Sequence, residues 1–84
     1  MATETEFTEA SVRIKTLTAR PSNEDLLALY SLFKQASVGD ASGKRPGAFN
    51  MVARAKFDAW SALQGTSAED ARQSYVDLVN RLVG

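Results

Sequence analysis

The sequence has no cysteine and no histidine among its 84 residues. Disulfide staples are therefore excluded, and so are the zinc, iron–sulfur and haem sites that depend on those ligands. Without histidine there is no ordinary general base near neutral pH, and without cysteine no thiolate nucleophile. No serine stands in a Gly-x-Ser-x-Gly elbow, and there is no Walker-type phosphate loop. Charge of one sign is also missing, since ten basic residues balance ten acidic ones. A broad basic footprint for nucleic acid is thus absent, and any bound anion must be met by a local cluster. No apolar run approaches transmembrane length, so stable membrane insertion is not expected.

What is present is apolar residue content of 44%, enough for one small domain over residues 1–84. Residues 1–6, Met-Ala-Thr-Glu-Thr-Glu, are acidic and polar, unlike a secretory leader. A cytoplasmic monomer is the expectation.

Four helices are legible. Phe7, Ala10, Ile14 and Leu17 form one apolar stripe, predicting a first helix from Thr5 to Leu17 that stops before Pro21. Ser22 caps a second helix with Glu24 and Asp25 in its first turn. Its Leu26, Leu27, Leu29, Tyr30, Leu32 and Phe33 are apolar on more than one face, as in a helix that touches neighbours on two sides or a neighbour and a ligand. Gly39 suits its C-terminal cap. The stretch from Asp40 to Gly47 is rich in turn residues and predicts a long, potentially functional loop. A third helix covers Met51 to Leu63, with Val52, Ala55, Ala59, Trp60 and Leu63 as its packing stripe, and Gly65 ends it. Thr66 and Glu69 read as a capping box for a fourth helix, with Ala71, Tyr75, Leu78, Val79 and Leu82 as its stripe. The fold class is all-α, a helical bundle whose middle loop is long enough for a crossover.

The carboxylates sit at helix starts (Glu24, Asp25, Glu69, Asp70) or singly on helices (Asp58, Asp77), as caps and solvated charges. No enzyme, cofactor or metal is expected. Two lysine–aromatic pairs stand four residues apart on helices, Tyr30 with Lys34 and Lys56 with Trp60. Such a pair can stack on a base and meet its phosphate. By spacing alone, a core aromatic beside a snorkelling lysine is the favoured reading of each pair.

Taken together, Tyr30-x-x-x-Lys34-Gln35-Ala36-x-x-Gly39-Asp40, Arg45-Pro46-Gly47, Ala55-Lys56-x-Asp58-Ala59-Trp60, Leu63-x-Gly65-Thr66-Ser67, Glu69-Asp70-Ala71 and Tyr75 resemble the signature of the acyl-CoA-binding protein family. The resemblance runs colinearly over nearly the whole chain. It implies a four-helix bundle in up-down-down-up order, with a long overhand loop between helices 2 and 3. It implies a non-catalytic carrier of medium- and long-chain fatty acyl-CoA, with long-chain acyl-CoA as ligand and acyl-CoA-using enzymes as candidate partners. Carried over by position, the ligand contacts fall on Lys15, Leu26, Leu27, Tyr30, Ser31, Phe33, Lys34, Lys56 and Tyr75. In that assignment Lys34 and Lys56 neutralise the CoA phosphates. Tyr30, Phe33 and Tyr75 frame the adenosine, and Leu26 and Leu27 line the acyl path.

Several positions depart from the family pattern. Phe33 stands where a second tyrosine is common, Phe57 replaces a tryptophan, Asn50 an aspartate and Leu26 a methionine, and the basic C-terminal tail is shortened. These departures motivate the alternative of a helical protein-interaction module with weak or lost acyl-CoA binding. The intact Tyr30, Lys34, Lys56 and Tyr75 argue against it.

Overall fold

A reciprocal cap starts the first helix: the Glu6 N–H donates to Thr3 Oγ1 (3.1 Å) and the Thr3 N–H to Glu6 Oε1 (3.0 Å). In the computed structural model, which describes residues 1–84, α1 spans Glu4–Arg13, α2 Asn23–Ser37, α3 Met51–Ser61 and α4 Ala68–Val83. No strand is present. The stripe expected to run helically to Leu17 instead tightens into a 3₁₀ turn over Ile14–Thr16. The Thr16 hydroxyl donates to the Arg13 carbonyl (2.7 Å), and the Leu17 N–H turns to Ile14 O instead. α3 also ends two residues early, at Ser61.

The expected cap at Thr66 is corrected by one residue. Ser67 is the N-cap of α4, its hydroxyl accepting from the Asp70 N–H at 3.0 Å. Thr66 is occupied elsewhere, its N–H on Leu63 O and its carbonyl accepting from Gln35 Nε2 (2.8 Å). Gly39 does terminate α2, in the left-handed region at φ 97° where a side chain is strained.

Helix directions follow from paired contacts. Phe7 meets Tyr75 and Arg13 meets Asn80, so α1 and α4 run parallel. Phe33 meets Tyr75 while Asp25 meets Arg81, so α2 is antiparallel to α4. Tyr30 meets Lys56 and Lys34 meets Trp60, so α2 and α3 run parallel. This is the up-down-down-up order, and the overhand loop between Ser37 and Met51 carries the chain back to start α3 beside the start of α2.

The main core lies between α1, α2 and α4. Ala10, Tyr75, Val76 and Val79 are buried there, and Phe7, Ile14, Leu29 and Leu32 pack around them. Each buried valine contributes roughly 1.5–3 kcal/mol by leaving water. α3 packs on α2 alone, and the molecule is only 15 Å in its thinnest direction. One face of the α2–α3 pair is therefore open.

Polar contacts fix the loop to this frame. Gln35 is buried and donates through Nε2 to Asp40 Oδ1 as well as to Thr66 O, both at 2.8 Å. The same Asp40 oxygen accepts from the Gly65 N–H at 2.8 Å. Trp60 Nε1 donates to Gly39 O at 2.7 Å. Arg45 forms a two-pronged pair with Asp58, Nε to Oδ1 at 2.8 Å and Nη2 to Oδ2 at 2.7 Å.

Candidate functional site

The open face of α2 and α3 is a groove of about 570 Å³. From α2 it is lined by Leu26, Leu27 and Tyr30, and from α3 by Met51, Val52, Ala55 and Lys56. Arg20 and Asn23 close one end, joined by a hydrogen bond from Arg20 Nη2 to Asn23 Oδ1 at 3.0 Å. The two apolar faces expected of α2 are thereby explained. Leu29 and Leu32 pack on the core, while Leu26, Leu27 and Tyr30 face the groove.

The two lysine–aromatic pairs cross between helices. Lys56 Nζ of α3 stands 5.2 Å from the ring centroid of Tyr30 on α2. Lys34 Nζ of α2 stands 4.8 Å from the ring centroid of Trp60 on α3. Trp60 is buried, so it is the structural member of the set. Neither lysine has a carboxylate within salt-bridge range. The ring faces hold the ammonium groups in place, and no internal counter-ion neutralises them. An anion can claim both without first breaking an ion pair.

The aromatic residues expected to act together are divided. Tyr30 lies in the groove, whereas Phe33 stacks on Phe7 (centroids 5.2 Å, interplanar 27°) and meets Tyr75 edge-on at 5.8 Å. Tyr75 is 4% exposed, and burial pushes its phenol above the ordinary value of 10. Its ring is a core element, with Phe33 as the solvent-facing member of the trio at 39% exposure. Ser31 is buried, and its hydroxyl donates to the Ala28 carbonyl at 3.2 Å, so it turns into its own helix. Lys15 is exposed on the 3₁₀ turn, at the end of the bundle where α2 and α3 begin, and does not line the groove.

Met51, Val52, Ala55, Arg20 and Asn23 were not legible as groove residues. Val52 and Ala55 had been grouped with Trp60 as a packing stripe. Residue spacing carries no signal that separates them, because an apolar stripe of this length can pack along a single neighbouring helix. Val52 is in fact 69% exposed.

With this geometry in place, the comparisons with known proteins are decisive. Residues 4–79 match the family model described as acyl CoA binding protein. The chain belongs to the acyl-CoA-binding protein family. It is 48% identical to the acyl-CoA-binding protein of Brassica napus, over 99% of this chain and 90% of that one. It is 46% identical to the acyl-CoA-binding protein of Saccharomyces cerevisiae, over 92% and 88%. The crystal structure of acyl-CoA-binding protein 2 from Oryza sativa superposes with a TM-score of 0.92 at 46% identity, covering 95% of this chain and 87% of that one. The family's four-helix fold is thus the fold of this chain, and family members of this kind are binders of acyl-CoA rather than known catalysts.

Proposed function

We propose that this chain binds the CoA thioesters of medium- and long-chain fatty acids and carries them, unaltered, in the cytoplasm as a monomer. The observation that carries this reading is the apolar groove between α2 and α3, with an unneutralised lysine held over an aromatic ring at its edge. Lys34 and Lys56 take the phosphates of CoA. Each charge-assisted hydrogen bond to phosphate contributes roughly 1.5–3 kcal/mol. Tyr30 offers its ring to the adenine, joined by the exposed edge of Phe33, while Tyr75 supports Phe33 from within the core. Lys15 serves as an outer cation at the end where the helices begin. Leu26, Leu27, Met51 and Val52 receive the acyl chain.

Burial of ten methylenes would provide on the order of 8 kcal/mol before ordering costs, as an upper bound. The phosphates then select a CoA ester, and the groove selects the length of its chain. Enzymes that consume or produce acyl-CoA are the partners such a carrier would serve. Isothermal titration with palmitoyl-CoA, free CoA and palmitate tests the reading. Tight binding of the first, weaker binding of the second and poor binding of the third are expected. Absence of binding for every acyl length would refute it.

A further inference from the structure

We infer that a second, shallow hollow on the outer side of α3 seats the terminal carboxylate of an acyl-CoA whose chain ends in an ω-carboxyl group. This ligand class lies within the acyl-CoA reading and stands only if that reading does. The hollow holds about 430 Å³ and is lined by Ala48, Met51, Arg54, Ala55 and Asp58. The last four stand on one stripe of α3, at i, i+3, i+4 and i+7. Met51 and Ala55 also line the groove, so they form the ridge between groove and hollow. At Ala55 that ridge is one methyl group high, and at Met51 it is an exposed and flexible side chain.

Length carries a long chain across that ridge. Along α2 the groove runs from Asn23 to Tyr30, roughly 10 Å at the helical rise per residue. An extended sixteen-carbon chain, with C–C bonds of about 1.5 Å, zigzags over roughly 19 Å. Arg20 and Asn23 close the groove at the end away from Lys56. A chain entering beside Lys56 therefore fills the groove before its end is housed. The low ridge at Met51 and Ala55 is where the remainder turns out, and the hollow lies directly beyond it.

Charge decides what the end of that chain carries. Arg45 takes both oxygens of Asp58, at 2.8 and 2.7 Å, while the Arg54 guanidinium makes no hydrogen bond or salt bridge. Arg45 and then Arg54 favour the charged form of Asp58, so two cations attend one carboxylate and one positive charge is surplus. A terminal methyl gains nothing from a free guanidinium. A terminal carboxylate can take two of its N–H groups side by side. Against Leu26, Leu27 or Val52 the same carboxylate would be buried without a partner, which is unfavourable. Arg20 is the competing cation, but it stands at the closed end of the groove, which a chain of about ten carbons already spans.

The test is titration calorimetry of the full-length chain with palmitoyl-CoA and with the mono-CoA esters of hexadecanedioic and decanedioic acids. The hexadecanedioic ester should bind at least as tightly as palmitoyl-CoA. Arg54→Gln should weaken the hexadecanedioic ester about fivefold, the upper range for an exposed ion pair. It should leave palmitoyl-CoA and the shorter decanedioic ester unchanged. Arg54→Lys should recover part of the loss, as a charge without the fork, and the loss should shrink as salt rises. Circular dichroism should show both variants folded. Equal weakening of all three esters by Arg54→Gln, no weakening of the hexadecanedioic ester, or a loss that follows Arg20→Gln in place of Arg54→Gln would overturn the assignment. In each of those cases palmitoyl-CoA binding by the parent would still uphold the acyl-CoA reading. No binding of any ester would overturn both.

Discussion

Lys34 on α2 rests its ammonium over Trp60 of α3, one turn beyond the point where Lys56 of α3 rests over Tyr30 of α2. The exchange is reciprocal: each helix supplies one lysine and one ring. It ties two parallel helices together and leaves both charges available to a ligand. An exposed cation–π contact contributes about 0.5–1 kcal/mol, less than a charge-assisted bond to phosphate. The lysines therefore matter more to binding than to folding.

Lys34→Ala is expected to weaken palmitoyl-CoA binding by roughly tenfold to a hundredfold, the equivalent of one lost phosphate contact. Thermal unfolding should shift by only a few degrees, because one exposed cation–π contact is lost. Titration calorimetry and a melting curve on the same preparation check both. Unchanged affinity would remove Lys34 from the site.

The groove wall offers a separate test. Val52 is exposed and makes no core contact, so Val52→Asp should leave the fold intact. A carboxylate there would oppose burial of the chain beside it. The expected result is a flatter dependence of affinity on acyl length, with free CoA little affected. Titration with octanoyl-, lauroyl- and palmitoyl-CoA reads that slope directly, against a ceiling of about 0.8 kcal/mol per methylene.

Much of this arrangement was visible in the residues, and what was not has definite causes. Pro21, Ser22, Gly39 and Gly65 punctuate the chain locally, so the ends of α2 and the α3–α4 turn could be placed without tertiary information. The Thr16 hydroxyl and the Gln35–Thr66 bond are matters of competition for a carbonyl, which periodicity does not register. The register of Lys34, Lys56 and Tyr30 followed from the family resemblance, but their crossing between helices did not. The up-down-down-up order implies parallel α2 and α3, but the crossing depends on which faces of the two helices meet, and residue spacing does not register that. Val52 shows the deepest limit: an apolar side chain on a helical stripe looks the same whether a neighbour or a ligand is to cover it.

Phe33 separates stability from recognition. Its ring is held between Phe7 and Tyr75 at 5.2 and 5.8 Å, but part of it reaches solvent. Phe33→Ala should cost about 1–2 kcal/mol of stability through lost ring pairing and partial burial. Phe33→Tyr should keep the trio and add a hydroxyl on the exposed side. Its melting temperature should match the parent, and its affinity for acyl-CoA should rise by up to about fivefold, the worth of one hydrogen bond. A Tyr variant that melts early would show the para position to be enclosed.

The pH dependence of stability has an acid and an alkaline limb with named residues. Bonds from the Gly65 N–H and Gln35 hold the Asp40 carboxyl below its ordinary value of 3.8, and Arg45 does the same for Asp58. In both cases the unfolded chain takes up protons first as pH falls. Their stabilising contributions are therefore complete above the ordinary aspartate range and are lost as pH drops through it toward the lower folded values. Tyr75 acts at the other end: burial raises its phenol, so the unfolded chain loses that proton first above pH 10 and stability declines there. Asp58→Asn should flatten part of the acid limb by removing the Arg45 pair, and Asp40→Asn should flatten a second part by weakening the anchor at Gly65. Tyr75→Phe should flatten only the alkaline limb. Denaturant midpoints from pH 2.5 to 11 for the parent and the three variants separate these contributions. An unchanged acid limb in both aspartate variants would place acid sensitivity in other carboxylates.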